Sequence, residues 1–158
     1  MNFNVECISE LASIKAEQWN HLVPQSNPFL RYEFLAGLET NECVGPPQTG
    51  WVPRHLLLRS NNGQIIAGMP LYEKYDSYGE YIFDWSWARA ASTAGIPYYP
   101  KLVSAIPYTP STGPRLLISP NSPIGKANTE EMLLKGLQEL ATKLNASSAH
   151  ILFHPSHH

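Results

Sequence analysis

The dipeptide Asn62-Gly63 lies between two apolar runs, His55-Leu56-Leu57-Leu58 and Ile65-Ile66-Ala67. Asn-Gly favours positive φ and a tight hairpin, so this stretch is expected to fold back as an antiparallel pair. The first strand is predicted over residues 54–59 and the second over 64–74. Pro70 has no N–H to donate to a ladder, which predicts a bulge or an edge position there. Asp76-Ser77-Tyr78-Gly79 forms another turn, and Tyr81 and Phe83 alternate with Ile82. That period of two predicts a third strand over 80–85 and an antiparallel meander at the centre of the fold.

The flanks are predicted by the same reasoning. Phe3, Val5 and Cys7 alternate with polar residues, as in a half-buried strand. Ile14, Gln18, Trp19 and Leu22 share one helical face over 13–22, and Pro24 ends that helix. Asn27-Pro28 reads as an N-cap with proline at the first helical position, opening a helix that closes at Thr40-Asn41. Residues 44–53 read as a loop. A helix is expected over 86–94, with Gly95 as its stop. Seven of fourteen prolines lie between Pro97 and Pro123, leaving room there only for a short strand at 115–118. Asn128 with Glu131 resembles a capping box opening a helix whose buried stripe is Leu133, Leu137, Leu140, Ala141 and Leu144. A last strand is expected over 150–153. The order β, α, α, β, β, β, α, loop, β, α, β describes an α/β or α+β unit in three layers.

With 158 residues the chain is expected to form one domain. Charged residues are 15%, against a usual ~25%, and the formal net charge is −2. Such a chain offers no clustered basic footprint for general nucleic-acid binding. No apolar run approaches the ~20 residues of a membrane span, and the acidic start does not resemble a signal peptide, so a soluble cytoplasmic protein is expected. Two cysteines, Cys7 and Cys43, exclude a disulfide scaffold and a cysteine zinc site.

Three groups carry candidate chemistry. His150, His154, His157 and His158 crowd the chain end. A zinc site there would need a helix, but Ile151-Leu152-Phe153 reads as a strand and Pro155 breaks a helix, so no metal is assigned. Cys43 has only sequence-distant partners, His21 and His55, and no nucleophile elbow or phosphate-cradling glycine loop occurs. The third group is aromatic: ten of seventeen aromatics lie between Tyr72 and Tyr108. Strand ends and the loops after them are where α/β folds place sites. A face of Tyr, Trp and Pro with few charges suits a peptide or sugar held by stacking and a few polar anchors. Asp84, Trp85, Tyr98, Tyr99, Lys101, Thr109 and Arg115 are therefore the expected substrate-binding residues. Asp84 would orient an amine or act as a base, and Lys101 and Arg115 would pair with a carboxylate or phosphate. The competing reading places the aromatics in the core, with Asp84 capping a helix and Arg115 satisfying it. No catalytic residue is assigned.

Six blocks in order resemble one family. They are Asn27-Pro-Phe-Leu-Arg-Tyr-Glu-Phe-Leu35, Gly50-Trp-Val-Pro-Arg-His-Leu-Leu57, Pro70-Leu-Tyr-Glu-Lys74, Ser77-Tyr-Gly-Glu-Tyr-Ile-Phe-Asp-Trp85, Tyr98-Tyr-Pro-Lys-Leu102 and Pro107-Tyr-Thr-Pro-Ser-Thr-Gly-Pro-Arg115. Together they resemble the FemAB-like predicted N-acyltransferases, related to peptidoglycan peptidyltransferases and to the GNAT superfamily. The resemblance implies a GNAT-like three-layer unit, with a central, mostly antiparallel sheet flanked by helices. It implies that residues 1–158 are the first of two tandem units, the chain ending at His158 as if cut from a longer protein. The implied function is the acceptor-binding half of an acyl or aminoacyl transfer to an amine, on a peptide or sugar-nucleotide cell-wall precursor. An aminoacyl-tRNA or acyl-CoA donor is implied, bound elsewhere than on this segment. The isolated chain would then be inactive, with a second unit expected in cis and an oligomer forming through the surface it leaves exposed. The alternative is a non-catalytic recognition module using the same aromatic and proline-rich loops.

Overall fold

The hairpin centred on Asn62-Gly63 is present in the computed structural model, which describes residues 2–82 and 84–156. Strands β3 (His55–Ser60) and β4 (Ile65–Met69) pair antiparallel, with Leu56 opposite Met69 and Leu58 opposite Ala67. Gly63 takes φ 83°, the conformation the turn requires. Strand β1 (Phe3–Ile8) adds antiparallel to the free edge of β3.

Both hairpin strands continue past an interruption. Strand β2 (Trp51–Pro53), in the predicted loop, runs into β3 with only Arg54 between. Pro70 and Leu71 separate β4 from β5 (Tyr72–Lys74), which pairs with β2. Arg54 N–H donates to Leu71 O at 2.8 Å, so the two halves share one ladder. His55 Nδ1 accepts the Leu71 N–H at 3.1 Å and satisfies a donor that the break would orphan. That acceptor role puts the imidazole proton on Nε2, which donates to Glu39 Oε2 at 2.8 Å. Pro70 thus marks where the ladder passes from one sheet to the next.

Residues 80–85 do not form the third strand. Gly79 and Tyr81 have φ of 77° and 62°, which turn the chain out of extended geometry. Phe83 lies outside the described residues. The place beside β5 belongs to β6 (Lys101–Ser104), within the stretch expected to be irregular. Residues 105–116 leave the sheet, and β7 (Leu117–Ile118) then resumes the antiparallel alignment beside β4. Strand β8 (Ala149–Ile151) joins parallel to β6. The expected single central sheet is therefore two four-stranded sheets, β1-β3-β4-β7 and β2-β5-β6-β8. With its helices this is an α+β fold.

Helices cover both faces of the first sheet. Leu57 and Ile65 pack with Trp19, Leu22, Leu30 and Leu35 from α1 (Ala16–Asn20), α2 (Tyr32–Thr40) and the turns around them. Leu56, Leu58 and Met69 pack on Leu133, Leu137 and Leu140 of α4 (Lys126–Lys143). The alternation along β3 thus feeds two apolar cores.

Helix starts differ in detail from those expected. Helix α1 is shorter, because Leu11–Ser13 forms a separate 3-10 turn and Ile14 is extended. Pro28–Leu30 is a 3-10 turn, and α2 opens only after extended Arg31. Asn27 does not cap; its side chain lies against Gly113, where a Cβ would come within 2.2 Å of its Nδ2. Helix α3 (Trp85–Thr93) starts one residue early and buries none of its side chains. Helix α4 is preceded by Gly125 at φ 80°, while Asn128 donates to Ile124 O instead of capping. Among the described residues no helix is long and apolar enough to cross a membrane.

Candidate functional site

Strands β5 and β6 place Lys74 directly opposite Lys101. Both side chains are fully buried. Two buried ammonium groups demand carboxylates, because an unpaired buried charge is prohibitively costly. The turn leaving β5 supplies them. Lys74 Nζ donates to Tyr78 O at 2.8 Å and to Asp76 Oδ1 at 3.3 Å, and lies 3.8 Å from the centre of a Trp51 ring. Lys101 Nζ donates to Asp84 Oδ2 at 2.6 Å, Glu80 Oε1 at 2.8 Å and Ser77 Oγ at 3.2 Å. Glu80 spans the pair, its Oε2 3.7 Å from Lys74 Nζ. The segment read as a third strand is thus the carboxylate-bearing loop of a buried charge network.

Electrostatics within the network follow from burial and pairing. Burial pushes the Glu80 carboxyl up and the Lys74 ammonium down. Burial also pushes Asp84 up, but hydrogen bonds led by that from Lys101 outweigh it and hold Asp84 at about 2. Tyr98 donates its hydroxyl to the same Asp84 oxygen. Burial and that bond raise Tyr98 well above the usual phenol range, so it keeps its proton. Tyr99 and Ser77 share a 2.5 Å hydroxyl contact. The second Asp84 oxygen, Oδ1, is buried and has no hydrogen-bond partner within 3.5 Å, although the Ser77 hydroxyl also helps to hold the carboxyl ionised.

Above this network lies an open groove of about 510 Å³, lined by Ile82, Asp84, Ser86, Trp87, Tyr98, Ser148 and His150. Three chain segments meet there. The start of β8 is tied to the approach to β6, since Ser147 N–H donates to Pro100 O and Ser147 Oγ to Tyr98 O. His150 Nε2 lies 2.8 Å from Ser148 Oγ. Burial and the nearby Lys101 charge push His150 below the usual imidazole range. The Asp84 carboxylate, the His150 imidazole and the aromatic surfaces of Trp87 and Tyr98 line the groove.

Four of the seven residues singled out in the sequence come together here. Asp84 and Tyr98 line the groove; Lys101 and Tyr99 lie beneath or beside them in the network. Trp85 is outside the lining and packs edge-to-face against Tyr78 with ring centres 5.0 Å apart. Thr109 and Arg115 sit in the 105–116 excursion. Thr109 Oγ1 donates to Pro107 O. Arg115 is fully buried and donates to Ser111 O at 2.7 Å and Gly113 O at 3.0 Å. Its guanidinium braces its own loop and has no exposed face for a ligand's carboxylate or phosphate. Lys101 is likewise enclosed by Glu80 and Asp84.

The sequence does not single out Lys74, Glu80, Ser77, Trp87, Ser148 or His150 as binding residues. Lysines inside two short strands were the available signal for the network. In the sequence His150 stands out only as part of the histidine-rich chain end. Among the described residues no three His, Cys, Asp or Glu side chains are grouped to hold a metal, and His157 and His158 lie outside them.

No curated protein and no solved structure matches the chain. One family does match, FemAB-like, described as peptidoglycan biosynthesis/recognition, over residues 10–158. That span contains the charge network and the groove, and the chain belongs to the FemAB-like family.

Proposed function

We propose that the chain binds the amine-bearing acceptor of an N-acyl transfer, a peptidoglycan precursor, in the groove beside Asp84. The family description supports the peptidoglycan assignment. The orphaned Asp84 Oδ1 carries the amine assignment. It is an ionised, buried acceptor that lacks a donor, and an ammonium group supplies both charge and N–H. Trp87 and Tyr98 add aromatic surface that attracts a cation or stacks on a sugar. At about 2, Asp84 is too weak a base to deprotonate an amine, so its role is to hold and orient it. The donor, an aminoacyl-tRNA or acyl-CoA, belongs to a second GNAT-like unit in cis, and positioning carries the rate. Transfer in the cytoplasm fits this reading. A recognition-only module would use the same groove; the exposed Tyr78–Trp85 pair outside it favours that reading.

Titration with a lysine-terminated tripeptide and its Nε-acetylated form tests the assignment. The free amine should bind at least ~10-fold more tightly, the worth of one charged hydrogen bond. Asp84→Asn should remove most of that preference. Equal affinity for the two peptides would remove the amine acceptor and favour recognition alone.

A further inference from the structure

An amine arrives at neutral pH as an ammonium ion, because alkyl amines titrate near ~10. An ammonium has no lone pair, so it must lose a proton before it can attack an acyl carbon. Asp84 binds that ion but cannot deprotonate it. The groove's own side chains narrow the choice of acceptor. Ile82 and Trp87 have no basic atom, and the hydroxyls of Ser86 and Ser148 are not bases near neutrality. Tyr98 donates to Asp84 and keeps its proton. Lys101 lies beneath, enclosed by carboxylates. Among the described lining side chains one remains.

We propose that His150 is the proton acceptor of this groove, held in place by Ser148. This rests on the acceptor reading above. Burial and Lys101 push the imidazole below its usual range, so at neutral pH it carries a lone pair for a proton, as a weaker base than free imidazole and a far stronger one than Asp84. The 2.8 Å contact with Ser148 Oγ fixes the ring on the groove wall, opposite the β6 residue Val103. The charged groups that act on it are Lys101, from β6, and Asp84, at the start of α3. The step balances with an acyl ester as co-reactant. One ammonium proton passes to His150, and the freed nitrogen attacks the ester carbonyl carbon. The C–N bond forms, the C–O bond breaks, and the departing oxygen takes the second N–H proton. The third stays on the amide.

His150→Gln keeps a hydrogen-bonding side chain for Ser148 and removes the base. The probes are the lysine-terminated tripeptide and 4-nitrophenyl acetate, an ester reactive enough to need no donor site. Amide formation at saturating tripeptide should fall ~100-fold or more and lose its acid limb, a loss that saturation separates from any change in affinity. Equal rates and pH profiles in the two proteins would overturn the proposal. Should the variant not fold, the wild-type His150 resonance decides. Its titration should move to lower pH when the tripeptide binds and stay fixed with the acetylated form; an unmoved titration with the free amine bound would overturn the assignment. Failure of the tripeptide to bind at all would count against the acceptor reading itself.

Discussion

Asp84 carries two unequal oxygens. Oδ2 receives Lys101 and Tyr98, while Oδ1 is buried with no partner. The first makes the residue part of the fold, and the second is the observation on which the proposed acceptor role rests. Its structural share is measurable through pH. The folded carboxyl titrates at about 2 against an unfolded value of 3.8. A depressed carboxyl stabilises the fold above its unfolded value, and that stability is lost as pH falls through the folded one. The gap corresponds to about 2 kcal/mol. Urea unfolding of wild type and Asp84→Asn should therefore show a difference that shrinks by roughly that amount between pH 5 and pH 2. A constant difference would contradict the depressed value. Glu80, raised by burial, acts in the opposite sense, which is why the comparison uses the single variant. At this scale the sequence exposed Asp84, Tyr98 and Lys101 because strand-end loops rich in aromatics draw attention. His150 and Ser148 stayed hidden, because only the parallel β6–β8 pairing brings residues so distant in sequence beside Asp84.

Elements were readable where periodicity and burial agree. The β3–β4 hairpin and the Leu133, Leu137, Leu140 stripe of α4 are such cases. The 80–85 segment shows the limit. Its alternation is that of a strand, but Gly79 and Tyr81 turn the backbone, and β6 holds the pairing edge of β5. Strands β2 and β6, three and four residues long, are too short for a period to register. One contact between elements sets two known effects against each other. Gly136 lies within α4 where it crosses β1, and a Cβ there would come within 2.6 Å of Val5 Cγ1. Glycine to alanine in a helix normally stabilises by up to ~1 kcal/mol. Valine is stiff at χ1, so the clash should win. Gly136→Ala is expected to lower the melting temperature, and adding Val5→Ala should recover part of the loss. A melting temperature raised by Gly136→Ala alone would show that α4 can lift off β1.

Across the whole molecule the two sheets divide the work. The β1-β3-β4-β7 sheet is covered on both faces by helices and carries the main apolar cores. The β2-β5-β6-β8 sheet carries the buried lysines, and the groove lies by its β8 edge. The 105–116 excursion between them is braced by Arg115 and by Tyr108, whose hydroxyl donates to Cys43 O. Helix α3, with no buried residue, forms one rim of the groove through Ser86 and Trp87. An ammonium-bearing acceptor is proposed to dock there. Mapping backbone amide shifts on addition of the lysine-terminated tripeptide tests it most directly. Perturbations are expected to centre on Asp84, Trp87, Tyr98, Ser148 and His150 and to be absent with the Nε-acetylated peptide. Perturbations centred instead on the apolar cleft formed by Leu22, Leu117 and Gly125 would contradict it.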